Sequence, residues 1–65
     1  MLEGTVKRWL TGRGYGFIEV DEDEDIFVHH TDLQDAYALM QGQKVEFDIE
    51  STPKGPRAVN VKVVG

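Results

Sequence analysis

The chain alternates apolar and polar residues with a period of two, in runs too short for helices. Val45, Glu46, Phe47, Asp48, Ile49 and Glu50 keep that alternation without a break. It describes a strand with one face buried and its acids in water. Val59, Val61 and Val63, separated by Asn60 and Lys62, repeat it. From Gly14 to Val20, Gly16, Ile18 and Val20 fall on one face, and Tyr15, Phe17 and Glu19 on the other. Ile26, Val28 and His30 likewise stand opposite Asp25, Phe27 and His29, and Leu2, Gly4 and Val6 opposite Glu3, Thr5 and Lys7. Between these runs lie Thr11-Gly12-Arg13-Gly14, a polar loop from Asp21 to Glu24, and Thr52-Pro53-Lys54-Gly55-Pro56. All three have turn chemistry, and the reading is five short strands.

The stretch from Thr31 to Gly42 breaks the period. Thr31 or Asp32 can cap a helical turn, and Leu33 to Met40 has helix-forming composition. One or two turns of helix are expected between the third and fourth strands, closed by Gly42. Five strands in 65 residues, with one longer link after the third, predict an all-β fold. Closing the sheet removes its unpaired edges, so the expectation is a five-stranded antiparallel barrel. An OB-type barrel with a short helical turn after strand three fits best, and an SH3-like barrel is the rival. The length is under half of roughly 150 residues, so the reading is a single domain over residues 1–65 with a small core.

Composition removes several function classes. The chain has no cysteine, which excludes a disulfide framework, a thiolate metal site and a cysteine nucleophile, and is compatible with a reducing cytoplasm. The longest apolar runs are a few residues, so no membrane span is expected. The first residues lack the layout of a secretory signal. Asp21, Asp23 and Asp25 alternate like the start of a calcium loop. However, Ile26 stands where that loop needs glycine, and Asp32 where it needs glutamate. Adjacent residues of a strand point to opposite faces, so His29 and His30 make a poor metal pair. Ser51 is the only serine and has no nucleophile-elbow context. Gly14-Tyr15-Gly16 precedes no helix, so it is not a dinucleotide fingerprint. The expectation is no enzyme, no cofactor, no metal and no membrane, and a monomer.

The net charge of −5 argues by itself against a polyanionic partner. Its distribution argues otherwise. Residues 1–18 hold Lys7, Arg8 and Arg13 against Glu3 alone. Residues 19–25 hold six acids and no base, while residues 51–65 hold Lys54, Arg57 and Lys62 with no acid. A fold joining the two ends would carry a neutral or positive face and an acidic back.

Tyr15 and Phe17 on strand two, with Phe27 and His29 on strand three, form one aromatic surface if these strands pair as a hairpin. The rings could simply be core, but Gly16, Ile18, Val20, Ile26 and Val28 already supply an inner face to the same strands. A second apolar face needs a second use. Rings beside Lys7 and Arg13 suit unpaired bases, because every base has a π-face to stack and cations at the rim attract phosphate. A peptide-docking module of SH3-like type would use the same surface differently.

Gly14-Tyr15-Gly16-Phe17-Ile18 resembles the first ribonucleoprotein motif of the cold-shock domain family, and Asp25-Ile26-Phe27-Val28-His29 resembles the second. Gly4-Thr5-Val6-Lys7 near the start and Gly55-Pro56-Arg57-Ala58-Val59-Asn60-Val61 near the end extend the resemblance from Met1 to about Val63. It implies a five-stranded OB barrel that binds single-stranded DNA and RNA and acts as an RNA chaperone. It implies binding roles for Lys7, Arg13, Tyr15, Phe17, Phe27 and His29. Where the family usually has Trp-Phe after the first-strand lysine, this chain has Arg8 and Trp9, and a bulge could still aim Trp9 at the ligand. His30 replaces an aromatic after the second-motif histidine. Tyr37 stands in for the aromatic of a connection about two residues shorter, and Lys54 falls where the family often has a basic loop residue. These departures bear on affinity rather than on ligand class.

Overall fold

A computed structural model describes residues 2–21, 24–34 and 36–64. The described residues form strands β1 (Leu2–Leu10), β2 (Tyr15–Asp21), β3 (Glu24–His29), β4 (Lys44–Thr52) and β5 (Gly55–Val64), and a 3₁₀ turn over His30–Asp32. They close into a barrel in the order β1-β2-β3-β5-β4. Strands in a closed ring cannot alternate direction all the way round when their number is odd. The five-stranded barrel accordingly has antiparallel pairings everywhere except between β3 and β5, which run parallel through Phe27–Arg57 and Val28–Ala58. The long connection after β3 makes the parallel pair possible, because it carries the chain across the barrel before β4.

The alternation expected for β2 and β3 holds. Ile18, Ile26 and Val28 are buried, as are Val45 and Phe47 of β4. It fails at two bulges. In β1 the register slips between Val6 and Arg8, so Lys7 has no partner of its own and the faces invert beyond it. In β5 two residues, Asn60 and Val61, stand opposite Phe47, and Asn60 takes a positive φ of 53°. That extra residue puts Ala58 and Val61 in the core at a spacing of three, in place of the expected Val59, Val61, Val63 series. Ile49 shares the phase of Val45 and Phe47 but is 43% exposed, so the pattern of β4 outruns the core.

The helical turn lies earlier than its composition suggested. His30–Asp32 form it, with the His29 side chain accepting from the Thr31 N–H at its start. The described residues from Leu33 to Gln43 contain no helix. Tertiary anchoring overrides the local propensity. Leu33 bridges to Val61, the Gln34 N–H donates to the Val61 carbonyl at 2.9 Å, and Leu39 is buried. Gly42 closes the connection at a φ of 93°, where its N–H donates to the Val6 carbonyl and the Val6 N–H donates to Gln43. Of the acidic loop, Glu22 and Asp23 lie outside the described residues, as does Asp35 of the connection.

Two predictions follow from this packing. Ile18→Ala should destabilise the protein by about 2–5 kcal/mol in a denaturant melt, since the side chain is wholly buried. Glu3 stands directly opposite Glu46 across β1 and β4, and like charges in that position repel. Glu3→Lys should raise stability by about 0.2–1 kcal/mol in the same measurement, with the gain shrinking as salt is added.

Candidate nucleic-acid interface

The outer face of β2 and β3 is built by their register. Phe17 lies directly opposite Phe27, and Tyr15 opposite His29. Their rings form a connected group: Phe17 to Phe27 at 6.1 Å and 70°, Tyr15 to Phe27 at 5.6 Å and 36°, and Tyr15 to Phe17 at 6.4 Å and 87°. Phe27 continues to His29 at 6.5 Å, and His29 to His30 at 4.4 Å. These are edge-to-face and tilted contacts at the distances aromatic pairs prefer. The first four residues are half-buried. Each ring is thus braced by its neighbours while part of it stays open to solvent.

The β1 bulge decides which neighbour joins this face. Arg8 pairs with Phe17, and Trp9 pairs with Gly16 on the inner side. A Cβ on Gly16 would collide with the Arg8 carbonyl and come within 2.8 Å of the Trp9 ring, so glycine here opens the slot into which the indole packs. Trp9 is partly buried against the core and its Nε1 is covered without a hydrogen-bond partner. The indole is therefore drawn inward rather than turned onto the platform, and Arg8 takes the outer position. Gly16 serves Trp9, not the spacing between the platform rings.

Cations rim the platform on both sides. A groove beside Phe17 is lined by Lys7, Arg8, Asp25 and Gln41. Within it the Lys7 ammonium donates to both Asp25 oxygens, at 3.1 and 3.3 Å. The acids after Val20 therefore do not lie wholly behind the barrel, because Asp25 reaches round to hold a platform cation. Both partners are about half exposed, so the pair contributes little to stability and can open.

On the other side, Phe17 and Phe27 border grooves lined by Thr52, Lys54, Pro56 and Arg57. Lys54 is exposed in the β4–β5 turn, where its N–H donates to Thr52 Oγ1. Arg57, the cation beside Phe27, was not among the residues singled out from sequence. Only the parallel β3–β5 register brings it there, and no local pattern signals that register. It is held by Asp32, with Nε 3.3 Å from Oδ2 and Nη2 3.4 Å from Oδ1. Arg13 is exposed in the turn between β1 and β2, its N–H donating to the Leu10 carbonyl. Tyr37 is 95% exposed and rims a separate groove with His30, Thr31 and Gln34. It is neither buried nor stacked on the platform rings.

A small closed β-barrel with an outward aromatic hairpin and a basic rim is an arrangement found among nucleic-acid-binding barrels. Comparison with known proteins agrees. The model of the "cold-shock" DNA-binding domain matches residues 2–64. A cold shock-like protein of Aquifex aeolicus is 52% identical over 65 residues, covering 95% of this chain and 93% of that protein. Cold shock protein CspA of Staphylococcus haemolyticus is 46% identical over 63 residues, covering 94% and 96%. Among solved structures, Drosophila Unr CSD456 superposes with a TM-score of 0.79 over 98% of this chain and 26% of that longer one. At 21% identity that likeness bears on the fold alone. The chain belongs to the cold-shock domain family, a family of nucleic-acid-binding domains. The SH3-like reading is not favoured.

The inward seat of Trp9 is testable. Gly16→Ala should cost about 1–3 kcal/mol through overpacking and shift the tryptophan emission to the red as the indole is displaced. Gly12→Ala, where an added Cβ meets nothing within 4 Å, should leave the emission unchanged. Equal behaviour of the two variants would contradict the slot.

Proposed function

We propose that this chain binds single-stranded DNA and RNA by stacking unpaired bases on Tyr15, Phe17, Phe27 and His29. The observation that carries the reading is the contiguous half-open aromatic face of β2 and β3, flanked by grooves that hold Lys7, Arg8, Lys54 and Arg57. Arg13, His30 and Tyr37 extend the surface at its margins, and Trp9 supports it from beneath. Stacking accepts any base, so binding is sequence-tolerant. A ligand that binds only the unpaired state shifts a weak duplex toward melting by mass action, which is the physical content of RNA-chaperone action. The protein acts as one cytoplasmic domain, as a monomer, with no metal or cofactor.

Phe17→Ala and Phe27→Ala should each weaken oligothymidine binding by about 1–3 kcal/mol, the worth of one stacked base. Both should perturb a denaturant melt less than the 3–5 kcal/mol or so of a fully buried phenylalanine. Lys7→Ala should lower affinity for all sequences alike and flatten the salt dependence by about 0.7, the share of one phosphate on a single strand. A Phe17→Ala protein that binds normally in its folded fraction would overturn the site.

A further inference from the structure

We propose that Arg57, positioned by Asp32, reads the edge of the base stacked on Phe27 and disfavours adenine there. The inference rests on reading the β2–β3 face as a single-strand platform. Stacking alone does not distinguish bases, because every base has a π-face, so discrimination needs a contact to a base edge. Arg57 stands directly beside Phe27 in the parallel β3–β5 register and opposite Glu50 of β4. The next residue, Ala58, is wholly buried, so the Arg57 side chain leaves the sheet on the outer face with the rings. There it lines one groove with Phe27, Thr52 and Lys54.

Asp32 decides what the guanidinium can do. It comes from the 3₁₀ turn after β3 and meets the guanidinium side-on, with Oδ2 3.3 Å from Nε and Oδ1 3.4 Å from Nη2. Nε and Oδ2 are sealed from solvent, and the Asp32 side chain is only 15% exposed. A guanidinium is a planar fork of donors with no acceptor, so fixing one edge fixes the direction of the rest. Nε and one N–H of Nη2 are turned to Asp32. Both N–H groups of Nη1 and the outer one of Nη2 are left over to line the groove beside the Phe27 ring.

Charge decides which acceptor these donors take. Asp32 and Glu50 both stand against this one cation, with Glu50 Oε1 4.0 Å from Nη2. A phosphate would bring a further negative charge and would have to displace a carboxylate. A neutral carbonyl needs only the donors that Asp32 leaves over. Thymine, uracil, cytosine and guanine each carry a ring carbonyl. Adenine carries none, and its N1 and N7 acceptors sit beside an amino group that sets donor against donor.

Lys54 supplies the contrast within the same groove. It is exposed in the β4–β5 turn, and its ammonium is a compact point charge without a planar edge. That suits a phosphate, which offers charge and no fixed plane. The two cations thus divide the work: Lys54 adds salt-dependent affinity for any strand, and Arg57 adds a preference among bases.

The test compares deoxyoligothymidine with deoxyoligoadenosine of equal length, at several salt concentrations. The proteins are the wild type, Arg57→Ala, Asp32→Asn and the double variant Asp32→Ala with Arg57→Ala. Melts establish that each is folded, and the double variant leaves neither member of the pair buried alone. Adenines stack on one another and weaken binding to every protein alike, so that effect cancels when the adenine-to-thymine ratio of Kd is compared between proteins. Removing Arg57, alone or with Asp32, should lower the ratio about five- to tenfold, the worth of one hydrogen bond. It should change the salt slope for oligothymidine by much less than the 0.7 or so of one phosphate. Asp32→Asn should also lower the ratio, but should steepen the slope, because the freed guanidinium can then take a phosphate. A merely structural role for Asp32 would not move the slope that way. An unchanged ratio in the Arg57 variants, a slope flattened there by the full 0.7 or so, or an Asp32→Asn protein with wild-type ratio and slope would overturn the proposal while leaving the platform intact. No binding of either oligonucleotide by the wild type would overturn the platform reading and this inference with it.

Discussion

The pairing of Phe17 with Phe27 across β2 and β3 sets the whole outer face, because a strand alternates and a slip of one residue would exchange every side chain between core and solvent. Ile18 and Ile26 are opposite one another in the same register and wholly buried. The burial that stabilises the barrel therefore also holds the rings outward. That coupling lets a small barrel carry an apolar surface without losing its fold. The inner residues fix the register, and cross-strand contacts among Tyr15, Phe17, Phe27 and His29 brace rings that are only half covered.

Charge is handled locally, not by the net value. A chain of net charge −5 presents cations at the platform by pairing them with its own acids, Lys7 with Asp25 and Arg57 with Asp32. Each pair keeps a cation positioned while lowering its field. A nucleic-acid phosphate competes with a carboxylate for the same ammonium or guanidinium, which favours modest and reversible attachment over tight binding. On the proposed reading, stacking then carries the larger share of recognition, consistent with a surface that tolerates many sequences.

Much of this was legible in the residues. The period-two runs located all five strands, and the inner and outer faces of β2 and β3 followed from Gly16, Ile18, Ile26 and Val28 against Tyr15, Phe17 and Phe27. What was hidden has a common cause. A bulge adds one residue and inverts a face, and nothing in Val6-Lys7-Arg8 announces it, so the inward seat of Trp9 could not be settled before the register was known. The bulge at Asn60 hid Ala58 from the core in the same way. Arg57 reached the site through a parallel pairing between distant segments. The helical turn moved from Leu33–Met40 to His30–Asp32 because Leu33 and Leu39 are pinned by tertiary contacts that local composition does not record. The same turn brought His29 and His30 together where strand geometry separates them.

The most direct test of the central claim is an NMR titration of the labelled protein with oligothymidine, read through the aromatic ring protons. The account predicts intermolecular contacts between base protons and the rings of Phe17 and Phe27, with Tyr15 and His29 shifting in step. It also predicts that the back of the barrel around Leu2, Glu46 and Lys62 stays unperturbed. Contacts confined to that back surface, with the Phe17 and Phe27 rings unchanged at saturation, would contradict it.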